Sequence, residues 1–222
     1  MKSHLLPLTA CALILAPFCA TAATTLVSNK VVNSAIPDND DRGLASVIAV
    51  TGGGQTVTSV EVTLTTRNGW NGDMYAYLEH NGVVSMLLNR PGRTAADLAG
   101  AASSGMQLSF TDSALADIHT AITGTYGVQA AGTYQPDARA ADPGLVTDSS
   151  GRSLYLSGFN GQIADGGWTL FVADLSAGGV ATLDNWSLTV TAVPEPSSML
   201  LVMFGSVGAL LLRTREQRCS SR

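Results

Sequence analysis

Apolar and polar residues alternate with a period of two in several separate stretches of this chain. That period sends alternate side chains to opposite faces of an extended strand. The clearest case is residues 166–190. There Trp168, Leu170 and Val172 alternate with Thr169, Phe171 and Ala173. Trp186, Leu188 and Val190 alternate with Ser187, Thr189 and Thr191. A glycine-rich connection joins the two stretches, which hold two of the three tryptophans and are expected to close a core. Residues 57–66 repeat the pattern with Val60, Val62 and Leu64. Residues 73–80 set Met74, Ala76 and Leu78 against Tyr75, Tyr77 and Glu79. Asn81 and Gly82 both tolerate positive φ, so they predict a tight hairpin returning through residues 83–88. Residues 44–50 form an apolar run of strand length, broken by Gly52-Gly53-Gly54. The triple glycine opens no helix and is a poor phosphate-binding loop.

Residues 89–152 are less regular. Arg90-Pro91-Gly92 ends a strand, and the Ala- and Gly-rich run to Gly105 reads as an exposed loop. Residues 108–110 read as a short strand. Residues 113–122 predict a short helix capped by Asp112 or Ser113. Residues 154–159 read as a further short strand. Turn signals at this spacing predict an all-β protein, a jelly-roll-like β-sandwich spanning residues 24–192.

Composition supports strands over long helices: 13% charged residues and 23 glycines. From residue 24 to 193 seven basic residues face fifteen acidic ones, a net of −8. Such a domain repels phosphates, which argues against nucleic acid as a partner. The three cysteines, Cys11, Cys19 and Cys219, all lie outside that domain, so it has neither a disulfide framework nor a thiolate metal site.

Both ends read as addresses. Residues 1–22 have a basic start at Lys2, a short apolar run and a small-x-small Ala20-Thr21-Ala22, the form of a cleaved signal peptide. An N-terminal anchor helix is the alternative. Residues 193–222 hold Val193-Pro194-Glu195-Pro196, an apolar run over residues 199–212 and then Arg213, Arg215 and Arg218. This tail resembles the PEP-CTERM sorting signal of exopolysaccharide-producing Gram-negative bacteria. The resemblance implies a processing motif at Pro194, Glu195 and Pro196, a single transmembrane sorting helix, and a basic stop at Arg213, Arg215 and Arg218 kept cytoplasmic by the positive-inside rule. It also implies export machinery and an exosortase as partners, transient residence in the inner membrane, and onward transport to the outer envelope, cell surface or medium, where exopolysaccharide is a further partner. A permanent single-span anchor is the alternative.

The domain has its own resemblance. Its pieces, in order, are Ile36-Pro37-Asp38-Asn39-Asp40, Val60-Glu61-Val62-Thr63-Leu64, Gly72-Asp73-Met74, Leu87-Leu88-Asn89-Arg90-Pro91-Gly92, Phe110-Thr111-Asp112-Ser113-Ala114, Gly132-Thr133-Tyr134-Gln135-Pro136, and the block from Gly167-Trp168 to Trp186-Ser187-Leu188. Together they resemble the P domain that follows the catalytic domain of subtilisin-like proprotein convertases and many bacterial secreted proteases. The resemblance covers about residues 36–190 and implies a jelly-roll sandwich. The chain departs from it at Asn68-Gly69-Trp70-Asn71, where the family often has a histidine, and in the Ala-rich insert at 94–105. No residues remain for a subtilisin-type domain, so fold carries over and proteolysis does not.

Candidate chemistry is sparse. No serine sits in a nucleophile-elbow pattern, and no base and orienting acid are marked beside one. His80 and His119 read as surface or packing residues. No catalytic residue is assigned and the chain is expected not to be an enzyme. The acidic turn fails the EF-hand pattern at Arg42 and Ala49. Asp38, Asp40 and a loop acid such as Asp73 leave two readings, an irregular calcium site or a solvated turn. Trp70, Tyr75 and Tyr77 could form a platform for sugar rings or cover a sheet face. Two functions stand: a non-catalytic envelope or matrix protein, and a carbohydrate- or protein-binding accessory module. A hydrolase is the weakest alternative.

Overall fold

The computed structural model describes residues 22–122, 124 and 127–194. The described residues hold nine strands, β1 (Thr24–Ala35), β2 (Asp40–Val50), β3 (Thr56–Arg67), β4 (Met74–His80), β5 (Val83–Asn89), β6 (Met106–Phe110), β7 (Ala130–Tyr134), β8 (Gly166–Asp174) and β9 (Thr182–Val193), and all but β1 and β7 fall on stretches read above as strands. They form two sheets, ordered β1-β9-β3-β6-β7 and β2-β8-β4-β5. Only β6 and β7 pair in parallel. The result is the expected all-β, jelly-roll-like sandwich.

The core lies between the sheets. Trp168, Leu170 and Val172 of β8 face Trp186, Leu188 and Val190 of β9, all fully buried. The glycine-rich connection therefore crosses from one sheet to the other and makes no hairpin. Each buried indole finds a partner for its N–H, as a desolvated donor must. Trp168 donates to the Ala164 carbonyl at 3.0 Å and Trp186 to Ser46 Oγ at 3.0 Å. The β4–β5 hairpin turns at Asn81 and Gly82, both at positive φ.

Register fixes the two poles of the sandwich. Ala35 and Arg67 each pair with Thr182, and Asp40 and Met74 each pair with Asp174. The β1–β2, β3–β4 and β8–β9 links thus meet at one pole. At the other, Thr24 pairs with Ala192 and Thr56 with Val193, so the first and last strands begin and end together.

Three expectations change. The helix shrinks to one turn, α1 (Ile118–Ala121), capped by Asp117, whose carboxylate accepts from the His119 N–H. Residues just before it bond instead to the strand beside them: the Gln135 N–H donates to the Ala116 carbonyl and the Ile118 N–H to the Gln135 carbonyl. Asp112 caps elsewhere, accepting from the N–H groups of Leu156 and Ser157. It thereby opens a 3₁₀ turn at Leu156–Phe159 where a strand was expected. The 94–105 run is an exposed loop at residues 95–99, as expected, but its second half is anchored. Ala101 and Ser103 are buried, and the segment is bonded into the β3–β4 link: Gly72 N–H to the Ala101 carbonyl, Asn71 N–H to the Ser103 carbonyl, and Ala101 N–H to the Pro91 carbonyl. Gly72 lies so close that an added Cβ would stand 2.4 Å from the Ala99 carbonyl oxygen.

Candidate functional site

The pole where the three links meet gathers Arg90, Asp73, Ser176 and Asp174. Arg90, at the end of β5 with φ of +51°, turns its side chain across the β3–β4 link. Its Nε donates to the Gly72 carbonyl at 3.1 Å, and one terminal nitrogen donates to Asp73 Oδ1 at 3.0 Å and Ser176 Oγ at 2.9 Å. Burial raises the Asp73 pKa above the ordinary carboxylate range, opposed by its bonds to Ser176 and Arg90. Asp174 extends the inward row of β8 by one more step. It is 1% exposed, and its Oδ2 has no hydrogen-bond partner among the described residues. Burial pushes its pKa up to about 6, and the charges of Asp73 and Asp38 add to the shift.

The three calcium candidates are not gathered into one set. Asp40 turns to its own neighbour: Arg42 donates Nε and a terminal nitrogen to it at 3.0 and 2.7 Å, and its backbone N–H adds a third bond. These bonds hold Asp40 below the ordinary carboxylate range. Asp38 and Asp73 do share a neighbourhood, with Asp174 in the place expected for Asp40. Among the described residues, no group of three His, Cys, Asp or Glu is arranged to hold a metal. The orphaned Asp174 oxygen would suit a hard cation, but the Arg90 guanidinium already brings positive charge to that place. Asp174 was missed from sequence, although its signal was present: it is an acid on the inward parity of Trp168, Leu170 and Val172.

Beside this cluster opens a cleft of about 600 Å³. Trp70, Asp73, Arg90 and Ser176 line it together with Leu98 and the backbone of the 98–102 segment. The Trp70 indole N–H donates to the Gly178 carbonyl at 3.2 Å, which fixes the ring plane against the β8–β9 link.

The aromatic platform divides. Trp70 stands at this pole, whereas Tyr75 and Tyr77 lie on the outer face of the β2-β8-β4-β5 sheet with Phe171. Tyr77 stacks on Phe171 at a centroid distance of 4.8 Å, and Tyr75 meets Tyr77 edge-on at 6.0 Å. All three rings are half-buried.

His80 and His119 are both fully buried. His80 stacks on Trp168 at 3.9 Å, and its ring nitrogens lie 2.9 and 2.8 Å from the carbonyls of Gly167 and Ile163. His119 Nδ1 lies 2.7 Å from Asp137 Oδ2, and its Nε2 lies 2.9 Å from the Arg93 carbonyl. The His119–Asp137 pair has the form of a base and its orienting acid, but the other nitrogen faces a backbone carbonyl and no hydroxyl. Arg139 joins the pair, bonding both Asp137 and Asp117. The triple glycine also has an occupant. The Gly52, Gly53 and Gly54 N–H groups converge on the Asp165 carboxylate at 2.6, 3.1 and 2.6 Å, and this cradle lowers its pKa.

The class that these features define is an all-β sandwich carrying a sorting tail. Residues 192–216 match the PEP-CTERM protein-sorting motif. The motif indicates exosortase-dependent sorting to the cell envelope. Pro194 is the last described residue. Glu195, Pro196, Arg213, Arg215, Arg218 and the expected transmembrane helix lie outside the described residues, as does residues 1–21 of the expected signal peptide. No helix among the described residues is long and apolar enough to cross a membrane. No curated protein matches the chain. Among solved structures, the chain is similar to the serine protease of Aeromonas sobria in complex with its chaperone ORF2, at 16% identity and a TM-score of 0.45, covering 78% of this chain and 27% of that one. A second structure of the Aeromonas sobria serine protease gives 14% identity and a TM-score of 0.43, covering 77% and 27%. The chain thus spans about a quarter of the length of these proteins.

Proposed function

We propose that the chain is an exported, exosortase-processed protein of the outer envelope, cell surface or extracellular matrix, whose P-domain-like sandwich acts without catalysis. One observation carries the reading: the sorting motif begins at Ala192, inside β9, with no linker between fold and signal. Val193 still pairs with Thr56, and Ala192 with Thr24. Cleavage near Pro194-Glu195-Pro196 therefore removes the tail and leaves every strand pair in place. Before cleavage, the pole bearing Thr24 and Val193 faces the inner membrane, and the pole bearing Arg90 and Asp174 faces away from it. The C-terminal mass of the protein from cells with and without exosortase tests this reading.

A second reading, a carbohydrate-binding accessory module, is favoured by the cleft between Trp70 and the 98–102 segment. Exopolysaccharide is the partner that such a module would meet in the envelope.

A further inference from the structure

We propose that the cleft beside Trp70 is a subsite for one neutral hexose unit of a glycan. The proposal deepens the second reading above and rests on it. The cleft is an open one of about 600 Å³, roomy enough for a single sugar ring with its neighbours left in solvent. A hexose presents an apolar C–H face and a rim of hydroxyls. The cleft has both complements. Trp70 and Leu98 supply apolar surface, with Leu98 60% exposed. Arg90, Asp73 and Ser176 supply polar groups, already tied to one another and so held in place before any ligand arrives. One terminal guanidinium nitrogen of Arg90 has no hydrogen-bond partner among the described residues, which leaves N–H donors for sugar hydroxyls.

Residues 98–102, which also line the cleft, belong to the 94–105 insert, the segment with no counterpart in the family resemblance. It is fastened by backbone bonds to Pro91, Asn71 and Gly72, with Gly100 at φ of +80° packed against Pro91 and Gly72. Residues 100–103 of the insert are thereby held in place, while residues 95–99 stay exposed. Charge selects against an anionic sugar: Asp38, Asp73 and Asp174 cluster here around Arg90, so a uronate or phosphate would meet net negative charge. The cleft also lies at the pole remote from the sorting motif, where a polymer can reach it.

The three tryptophans make the test direct. Trp168 and Trp186 are 0% exposed, so acrylamide quenching reports on Trp70. The purified full-length protein in detergent is titrated with neutral oligosaccharides of glucose, mannose and galactose, and with polygalacturonate as the anionic comparator. At least one neutral oligosaccharide is expected to protect Trp70 from quenching. Ser176→Ala should weaken that binding at least tenfold, and Trp70→Ala should do the same in a calorimetric titration, while Tyr77→Ala on the sheet face leaves it unchanged. Ser176→Ala keeps the test alive if Trp70→Ala fails to fold. The proposal is overturned if no neutral oligosaccharide binds at millimolar concentration, if polygalacturonate binds more tightly, or if Tyr77→Ala alone removes binding. Neutral oligosaccharide binding that survives both Trp70→Ala and Ser176→Ala would overturn this subsite and leave the carbohydrate-binding reading standing, whereas no binding at all would overturn both.

Discussion

Asp174 and Asp40 are register partners across β2 and β8, yet only Asp40 is paired with a cation. Arg42 closes on Asp40 at 2.7 Å, while Asp174 faces inward with an unpartnered oxygen. The difference predicts how stability responds to pH. The Asp174 pKa rises from 3.8 in the unfolded chain to about 6 in the fold. The native state therefore binds its proton more tightly. As pH rises from about 4 to about 6, the unfolded state ionises first and stability falls, by at most about 3 kcal/mol. Asp174→Asn carries no charge in either state. It should raise the melting temperature at pH 7, with the gain disappearing near pH 4. Equal gains at both pH values would contradict the assignment.

Calcium is expected to leave the melting temperature unchanged. A cation that binds only the native state must raise it by mass action. Here Asp40 is satisfied by Arg42 and Asp73 by Arg90, so Asp38 and Asp174 alone fall short of the several oxygens calcium takes. Melts in calcium and in chelator should coincide. A rise in calcium that Asp174→Asn abolishes would establish a site at this pole.

Much of this was legible from period-two alternation, because a half-buried strand writes its own pattern. Trp168, Trp186, Val62 and Leu78 all point inward as the alternation requires. What escaped was set by partners distant in sequence. Nothing local marks residues 100–103 as held, since they bond to the backbone of Asn71 and Gly72, some thirty residues earlier. The helix at 113–122 lost to bonds with Gln135, and Asp112 was read as a cap for the wrong element. Trp70 was grouped with Tyr75 and Tyr77 by closeness in sequence, although a turn at Asn71–Asp73 separates pole from sheet.

Trp186→Ala should cost about 3–5 kcal/mol, the usual range for removing a large buried aromatic. The loss has two parts, the cavity and the Ser46 hydroxyl left without its indole partner. Ser46→Ala alone should cost about 1 kcal/mol. Denaturant melts check both, and an unchanged midpoint in Trp186→Ala would contradict its burial.

Asp165→Asn should loosen the β2–β3 turn, because the amide keeps only one acceptor oxygen, loses the negative charge and sets an NH2 donor against at least one of the three backbone N–H groups. The depressed pKa of Asp165 contributes stability that is fully present above the ordinary carboxylate value and is lost as pH falls from there through the lowered one. Amide exchange at Gly52, Gly53 and Gly54 should speed up in the variant at neutral pH. Unaltered exchange would show that the cradle holds without its carboxylate.

We propose that the sandwich is delivered by processing of a tail that begins inside its last strand. The most direct test of this proposal is the C-terminal mass of the protein recovered from cells with and without the exosortase. The account predicts a chain ending near Pro194-Glu195-Pro196 when the enzyme is present and a chain keeping Arg213, Arg215 and Arg218 when it is absent. A chain that extends to Arg222 in both strains would contradict it.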